Sequence, residues 1–537
     1  NQVFLNAASI EGSRFQSKSY IPTLSVTGSM TGTFNLTDNI RSVTTAGGQY
    51  LNEQSRRTDA SGAILLPGTS SLNGTSARFA VNEANAKIVT VAGFVEQRFE
   101  LNDRLFVTGA MRFDDASTFG NAAAGWTYYP SVTASYVMSE EKWFPKWDWL
   151  NTVRVRAAYG RAGQRPNFRQ SQTFFVPQSV NLTDASANVP AVTIGGPVGN
   201  ATLSPEITAE TEGGFEFSAF NSRVSGEFTA FKRDTRDLLV QRTLAPSLGV
   251  ANNQLVNLSL MRTRGAEGSI TVRPIDNNTV RFEQNVTFTT FANRIVDLGT
   301  IDGQVIAPIV VGGNQFHRAG FPAGGYFARR ILSYNDLDQN GIISRVNCPS
   351  YGGLANPQVV GGPRCEIVLS DSLDYVGQPL PTQELAFNTN ITLFKSFQVT
   401  ALVNYRGGNK IFNNTREFRN NGGFANGPDF WDRNAPLADQ AKSTARAMGN
   451  TDGYIEDASF VRLSEIALTY TMPVRWAQKL RAAGASLTVG GRNLGLWSNY
   501  SGFDPEVLSA SNAIFGTQDF LTAPPVRRFT MRLNLTF

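Results

Sequence analysis

The order of its connectors restricts the fold of this 537-residue chain more than any other feature. From about residue 20 to the end, short connectors and long ones alternate without a break. The short series comprises 36–39, 102–103, 221–222, 274–278 and 395–397, and two connectors of intermediate length, 139–151 and 474–484, fall in the same series. The long series comprises 53–84, 115–126, 163–207, 241–255, 299–382, 409–458 and 498–526. A soluble β-sandwich has no reason to keep this parity, whereas a transmembrane β-barrel has short turns on one side of the membrane and long loops on the other.

The segments between these connectors have the two-residue period of β-strands. In the last one, Phe529, Met531, Leu533, Leu535 and Phe537 share one parity, and Arg528, Thr530, Arg532, Asn534 and Thr536 share the other. We count about 15 or 16 strands. The pattern predicts an all-β fold, a transmembrane antiparallel β-barrel that takes up residues 1–537. The terminal Phe537 is the predicted C-terminal barrel signal and falls on the side of the short turns.

Two segments depart from plain strand and turn. The strand predicted over 459–471 changes the parity of its apolar residues halfway, which predicts a β-bulge near Ser464 and Glu465. The stretch Leu437–Met448 predicts a short helix inside a long loop.

Composition excludes several classes of protein. Charged residues make up 17% of the chain, against about 25% in soluble domains. No apolar run approaches the roughly 18 residues of a membrane-spanning helix, but membrane-spanning strands need only about ten residues with every second one apolar. The net charge of +5 is spread without a basic run, which argues against a nucleic-acid partner. The single histidine, His317, cannot form a His-based metal site or a catalytic triad, so we expect no enzymatic activity.

Several segments resemble motifs of one transporter family. They are Arg112–Gly120, Val153–Gly160, Leu203–Glu206, Thr263–Glu267, Tyr454–Leu463, Gly491–Leu494 and Gly502–Glu506, and they occur in the family's order over about residues 85–537. Asp115 and Ala116 stand where Gly-Ser is usual, and Arg264 replaces the usual residue before Gly265. Each motif is weak alone, but together they resemble the SusC/RagA family of TonB-dependent outer-membrane transporters.

The resemblance implies active import of a glycan oligomer or a peptide across the bacterial outer membrane. It implies a SusD-like surface lipoprotein on the long loops, contact with TonB through a region N-terminal to the barrel, and surrounding outer-membrane lipid. A dimer of transporter–lipoprotein pairs is also expected from it. The family's barrels have 22 strands and a plugged lumen, so the plug domain and the remaining strands are expected outside residues 1–537. Three other readings stay open: a siderophore or cobalamin receptor, a passive porin, and a structural scaffold of the outer membrane.

The long excursion 299–382 carries a candidate calcium loop. Its predicted oxygen ligands are the side chains of Asp336, Asp338 and Asn340, the carbonyl of Ile342, and Ser344 through a water molecule. Position twelve of the loop is Asn347, where a calcium loop has a bidentate Glu. A polar turn without a metal is the alternative.

Three further features have a functional and a structural interpretation. Cys348 and Cys365 are a candidate disulfide, and two free thiols are the alternative. Phe430, Trp431 and Arg433 lie in a long loop and could bind substrate by stacking on a sugar ring, although ordinary loop packing is the better explanation. The aromatic run 143–149 lies in a connector of the short series and predicts an aromatic girdle at the membrane interface.

Overall fold

The computed structural model confirms an all-β chain. It describes residues 12–120, 125–181, 188–194, 196–244, 253–301, 303–312, 314–352, 356–362, 364–420, 432–479, 481–509 and 517–537. The strands are β1 Ser13–Tyr20, β2 Thr23–Thr37, β3 Ile40–Leu65, β4 Thr75–Leu101, β5 Leu105–Ala116, β6 Thr127–Val137, β7 Leu150–Gln164, β8 Phe175–Asn181, β9 Asn188–Ile194, β10 Glu206–Ala219, β11 Val224–Thr243, β12 Asn253–Asp276, β13 Val280–Asp297, β14 Thr300–Ile301, β15 Gln304–Val305, β16 Ile309–Gly312, β17 Gln315–His317, β18 Gly325–Ala328, β19 Ile331–Tyr334, β20 Ile367–Leu369, β21 Asp374–Gly377, β22 Gln383–Leu393, β23 Phe397–Gly407, β24 Lys410–Asn413, β25 Ile455–Asp457, β26 Phe460–Thr471, β27 Gly484–Ser498, β28 Gln518–Asp519 and β29 Arg528–Thr536. The α-helices are α1 Asn414–Arg419, α2 Leu437–Ala447 and α3 Val474–Lys479.

One large antiparallel sheet contains 16 of the strands described here, in the order β1, β3, β4, β5, β6, β7, β10, β11, β12, β13, β22, β23, β26, β27, β29, with β2 also paired to β3. The strands between these in the chain belong to connectors. The short connectors are 38–39, 102–104, 138–149, 220–223, 277–279, 394–396 and 472–483, and the long ones are 66–74, 117–126, 165–205, 244–252, 298–382, 408–459 and 499–527. The order of the connectors follows the predicted alternation, except that 66–74, 117–126 and 244–252 are shorter than the connectors 138–149 and 472–483 of the short series. We call the two ends of the sheet the turn end and the long-loop end.

Turn chemistry explains the short connectors. Asn102 and Asp103, between β4 and β5, have φ of +49° and +55°, and Asn221 and Ser222, between β10 and β11, have φ of +55° and +61°. Two successive residues in the left-handed backbone conformation match the twist of the strands that a hairpin joins. Asn and Asp adopt this conformation at low cost.

The chain divides into two compact units. The first is 1–134, 159–209 and 236–258, and the second is 135–158, 210–235 and 259–537. The first contains the long β3–β4 ladder and the separate β8–β9 hairpin. The second contains the ladders from β13 to β29 and the long connectors 298–382, 408–459 and 499–527, in which one buried cluster includes Ile343 and Met448.

The sheet of the second unit has one apolar and one polar face. Val399, Leu468, Val489 and Met531 are successive partners across β23, β26, β27 and β29, and the last three are 46%, 50% and 76% exposed. The neighbouring row has Gln398, Thr469, Thr488 and Arg532 in the same register. An exposed apolar row beside a polar one is the arrangement of a lipid-facing wall with a wet inner face.

Two predictions about single segments are confirmed and one is wrong. Both ladders of β26 shift register at Ser464, as the predicted bulge requires. The predicted helix is α2, although α1 and α3 were not predicted. The connector predicted over 53–84 is mostly strand, because β3 and β4 continue their ladder through pairs such as Arg57 with Ala84. Among the helices in the described ranges, none has the length and apolar character needed to cross a bilayer.

Candidate functional site at the long-loop end

The predicted calcium loop folds as a turn closed by its own side chains. Asp336 accepts hydrogen bonds from the amides of Asn340 and Gly341, at 3.1 and 2.7 Å. Asp338 accepts a second bond from the Asn340 amide at 3.1 Å, and Asn340 Oδ1 accepts one from Ile342 at 2.8 Å. Gly341 has φ of +82°, which glycine adopts without the steric cost of a Cβ.

Glu366 completes this turn from another part of the chain. It is 2% exposed, and its Oε1 and Oε2 accept the amides of Leu337 at 2.8 Å and Ser344 at 2.6 Å. Its carboxylate and those of Asp336 and Asp338 offer oxygen atoms that all lie within 4.8 Å of one another. We call Asp336–Ser344 together with Glu366 the acid turn. Sequence reasoning missed Glu366, whose only signal was its position after Cys365.

The expected position-twelve residue is not part of this group. The side chain of Asn347 instead bonds both backbone groups of Val359, accepting from N at 2.9 Å and donating to O at 3.1 Å. Glu366 is the third carboxylate of the acid turn, whereas a calcium loop has its glutamate at position twelve.

A disulfide and a helix hold the acid turn. Cys348 and Cys365 are disulfide-bonded, 17 residues apart in sequence. From α2, Gln440 accepts from the Ile343 amide at 2.9 Å and donates to the Gly341 carbonyl at 3.0 Å. Ile343, Cys348, Ile367, Leu369, Ala441, Ala445 and Met448 form a buried cluster beneath the turn. The acidic groups are thus fixed by covalent and packing contacts before any ligand arrives.

The acid turn fits the donor set of a calcium ion. Calcium takes six to eight oxygen ligands at about 2.3–2.6 Å, from carboxylates, carbonyls and water. Asp336, Asp338 and Glu366 would hold it, since each carboxylate oxygen that accepts an amide keeps a second lone pair. Calcium binding remains a prediction for these residues.

The predicted substrate residues fall in two places. Phe430 and Trp431 lie outside the described residues. Arg433 is exposed, and its Cβ lies 3.2 Å from the position that a Cβ on Gly341 would take. Arg433 therefore packs against the acid turn.

A second region at the long-loop end is a cleft of about 720 Å³. Its lining comes from the end of β24, from α1 and from two parts of the last long loop. It includes Asn413, Thr415, Arg416, Arg419, Ser501, Gly502, Phe503, Asp519, Leu521, Thr522, Ala523 and Pro524. We call this the α1 cleft.

A buried ion pair fixes one wall of the α1 cleft. Arg462 donates from one guanidinium nitrogen to both oxygens of Asp504, at 2.7 and 2.9 Å, and the two side chains are only 8% and 3% exposed. Glu506 is bonded to Arg462 and Arg406, each at 2.8 Å. These contacts join the motif that contains Arg462 to the motif Gly502–Glu506, and they hold the segment next to Phe503.

A network of polar side chains fixes the rest of the wall. Glu456 accepts the Ser501 amide at 2.8 Å and the Asn413 side-chain amide at 3.2 Å. Tyr500 donates to Asp519 Oδ2 at 2.8 Å. Burial and the nearby Asp519 carboxylate raise the pKa of Tyr500, so its hydroxyl stays a donor.

The lone histidine is structural. The backbone amide of Gly324 donates to His317 Nδ1 at 3.1 Å. Burial lowers the pKa of His317, which keeps the ring neutral and leaves Nε2 as the protonated nitrogen.

Known proteins agree with this architecture. The family model described as "TonB dependent receptor-like, beta-barrel" matches residues 2–494. TonB-dependent receptor P26 of Formosa agariphila is 26% identical over 472 residues, which are 83% of this chain and 46% of that protein. TonB-dependent receptor SusC of Bacteroides thetaiotaomicron is 22% identical over 454 residues, 79% of this chain and 42% of that protein. These relatives are receptors and not enzymes.

A solved structure shares the fold along nearly the whole chain. The structure of the RagAB peptide transporter has a TM-score of 0.76 and 18% identity, and the match covers 98% of this chain and 56% of that one. The "closed-closed" state of the RagAB peptide importer gives a TM-score of 0.77 at 19% identity. The chain spans about half the length of the curated relatives that it matches.

Proposed function

The chain belongs to the family of TonB-dependent receptor-like β-barrels of the bacterial outer membrane, and from this premise we propose that it forms the barrel of a SusC-type importer. Its substrate would be a glycan oligomer or a peptide, and its partners would be TonB and a SusD-like lipoprotein. The observation that carries the proposal is the family match over residues 2–494.

The walls of the sheet suit this role. A transmembrane barrel needs an apolar outer face, because lipid offers no partners to polar groups. Polar side chains on the other face pair among themselves. Arg156 bonds Glu216 at 2.6 Å and donates to the Thr229 hydroxyl, also at 2.6 Å. Because Arg156 balances the charge of Glu216, this face would be wet without carrying a large net charge.

The long loops suit a protein partner. A flexible loop must lose conformational entropy when it binds, whereas a loop that is already ordered does not. Tyr326 of the excursion 298–382 is 1% exposed and bonds Thr517 of the last loop. Burial raises the pKa of Tyr326 to about 12. Interlocked loops of this kind would offer a lipoprotein a fixed surface.

Energised import is tested by uptake in the bacterium that encodes the chain. We would delete its gene, and separately remove TonB function, and measure uptake of labelled oligosaccharide and peptide mixtures. We expect uptake of one of the two mixtures to be lost in both strains. Uptake that needs the gene but not TonB would indicate a passive porin and overturn the proposal.

The lipoprotein partner is tested separately. The native protein, extracted in mild detergent and analysed by mass spectrometry, should carry a stoichiometric surface lipoprotein. A complex without a lipoprotein, in a strain whose uptake depends on TonB, would remove the SusD-like partner and leave the import proposal intact.

A further inference from the structure

The α1 cleft presents an exposed aromatic side chain on a fixed backbone. Phe503 is 80% exposed, yet the residues on either side of it are held firmly. Ser501 is bonded to Glu456 through its amide at 2.8 Å and its hydroxyl at 2.7 Å, and Asp504 is paired with the buried Arg462. A large apolar group that is fixed in place and left uncovered is suited to contact a ligand.

The polar groups of the cleft are mostly engaged already. Asn413 donates to Glu456 and to Ser501, at 3.2 and 3.0 Å. Thr415 donates to Asp519 at 3.1 Å. A sugar ring needs hydrogen-bond partners around its whole rim, and this cleft has few to spare. Its remaining surface is mostly apolar and includes Phe503 and Leu521.

One of the two arginines that line the cleft has no partner among the residues that the structure describes. Arg416 is balanced by Asp439 at 3.2 Å and Glu456 at 3.7 Å. Arg419, one turn further along α1, is exposed and forms no ion pair or hydrogen bond among the residues that the structure describes. An exposed guanidinium beside an apolar wall selects a ligand with an anion next to an apolar group.

We propose that the α1 cleft binds a peptide carboxylate on Arg419 and the adjoining apolar side chain against Phe503 and Leu521. This rests on the proposed import function and narrows its substrate class to peptides. The cleft volume of about 720 Å³ lies within the range of roughly 300–1,000 Å³ that is typical of ligand pockets and leaves room for a few residues. The carboxylate can come from the C-terminus or from an acidic side chain, and the test distinguishes them.

The test measures binding to the native protein, purified in mild detergent, by isothermal titration calorimetry. The probes are the peptide acetyl-Gly-Ser-Gly-Leu with a free C-terminus, the same peptide as its amide, and acetyl-Gly-Ser-Glu-Leu amide. Neutral maltohexaose, hexagalacturonate and decanoate represent a neutral glycan, an acidic glycan and a lipid.

The free acid should bind at least about tenfold more tightly than the amide, since a charge-assisted bond to a guanidinium is worth about that factor. Tight binding of the Glu-containing amide would assign the site to acidic side chains. In Arg419→Gln the acid and the amide should bind alike, and Arg419→Lys should restore part of the difference. Phe503→Ala should weaken both forms by a similar factor.

Two matched variants serve as controls. Arg364→Gln removes an exposed arginine from another long loop, and Phe175→Ala removes a phenylalanine that is 65% exposed in the β8–β9 hairpin. Neither should change peptide binding. Equal binding of the free acid, its amide and the Glu-containing amide by the native protein, or Arg419-dependent binding of hexagalacturonate or decanoate in place of peptide, would overturn the assignment. Peptide binding that depends on Arg419, in a protein whose uptake does not need TonB, would keep the site and refute the proposed import function.

Discussion

Replacing Arg462 with methionine should free the loop that carries Phe503. The guanidinium is the partner of a carboxylate, Asp504, that is almost completely buried. Removing one member of a buried pair costs about 3–5 kcal/mol, because the other charge is left without compensation. At 1.36 kcal/mol for each factor of ten, local opening should become roughly 150- to 5,000-fold more frequent.

Hydrogen exchange followed by mass spectrometry measures this opening. The informative amides are those of Ser501, Val507 and Ser509, which donate to Glu456, to the Asp504 carbonyl and to the Gln518 carbonyl. Their exchange in Arg462→Met should accelerate by the factor given above. Amides in the β22–β23 ladder should keep their protection, which shows that the barrel itself is still folded.

Arg492→Met is the matched control, since its pair with Glu465 is on the same sheet but is 68% and 34% exposed. An exposed pair contributes at most about 1 kcal/mol, so exchange should change by less than about fivefold. The double variant Arg462→Met with Asp504→Leu should recover much of the protection, because an apolar pair replaces the buried charges. Equal, small effects of Arg462→Met and Arg492→Met would refute the reasoning.

Three further predictions concern the long-loop end. Replacing Cys348 and Cys365 by serine opens a covalently closed loop of 17 residues. Because closing such a loop stabilises the folded chain by about 3 kcal/mol, trypsin should cut the excursion 298–382 faster in the variant. Millimolar Ca²⁺ should slow that cleavage in the native protein but not in Asp338→Asn, and equal rates with and without Ca²⁺ would exclude the metal. Because burial lowers the pKa of His317, the unfolded state binds its proton first, so stability should be constant above about pH 6.5 and should decrease as the pH falls below that value. The melting temperature between pH 5 and 7.5 checks this, and His317→Gln should flatten the dependence.

The sheet could be predicted because its signals are local. Alternating apolar residues give the strands, and pairs such as Asn102 and Asp103 give the turns. The prediction of a long connector over 53–84 was wrong for a physical reason. Residues 53–59 of β3 include no apolar residue, so a period-two search has nothing to detect there. They stay in the sheet because they pair with β4 on one side and, from Arg56 on, with β1 on the other.

The site could be predicted only in part. The Asp336–Ser344 turn is encoded in consecutive residues, and its hydrogen bonds follow from that local chemistry. Glu366 lies 22 residues after Ser344, and it reaches the turn because the disulfide and the β19–β20 pair bring its segment there. The α1 cleft combines residues about a hundred positions apart, from Arg419 to Leu521. One sequence holds no information on such distances.

The motifs that carry the family resemblance also explain why it does not identify a substrate. Arg462 and Asp504 belong to two different motifs, and the structure shows that they form one buried pair. In this chain the pair holds the loop that carries Phe503, and it makes no contact that distinguishes one substrate from another. Arg419 belongs to none of the motifs, and it forms no ion pair or hydrogen bond among the described residues. In the proposed peptide site, selectivity would change at Arg419 while the Arg462–Asp504 pair and the loop that it holds stay the same.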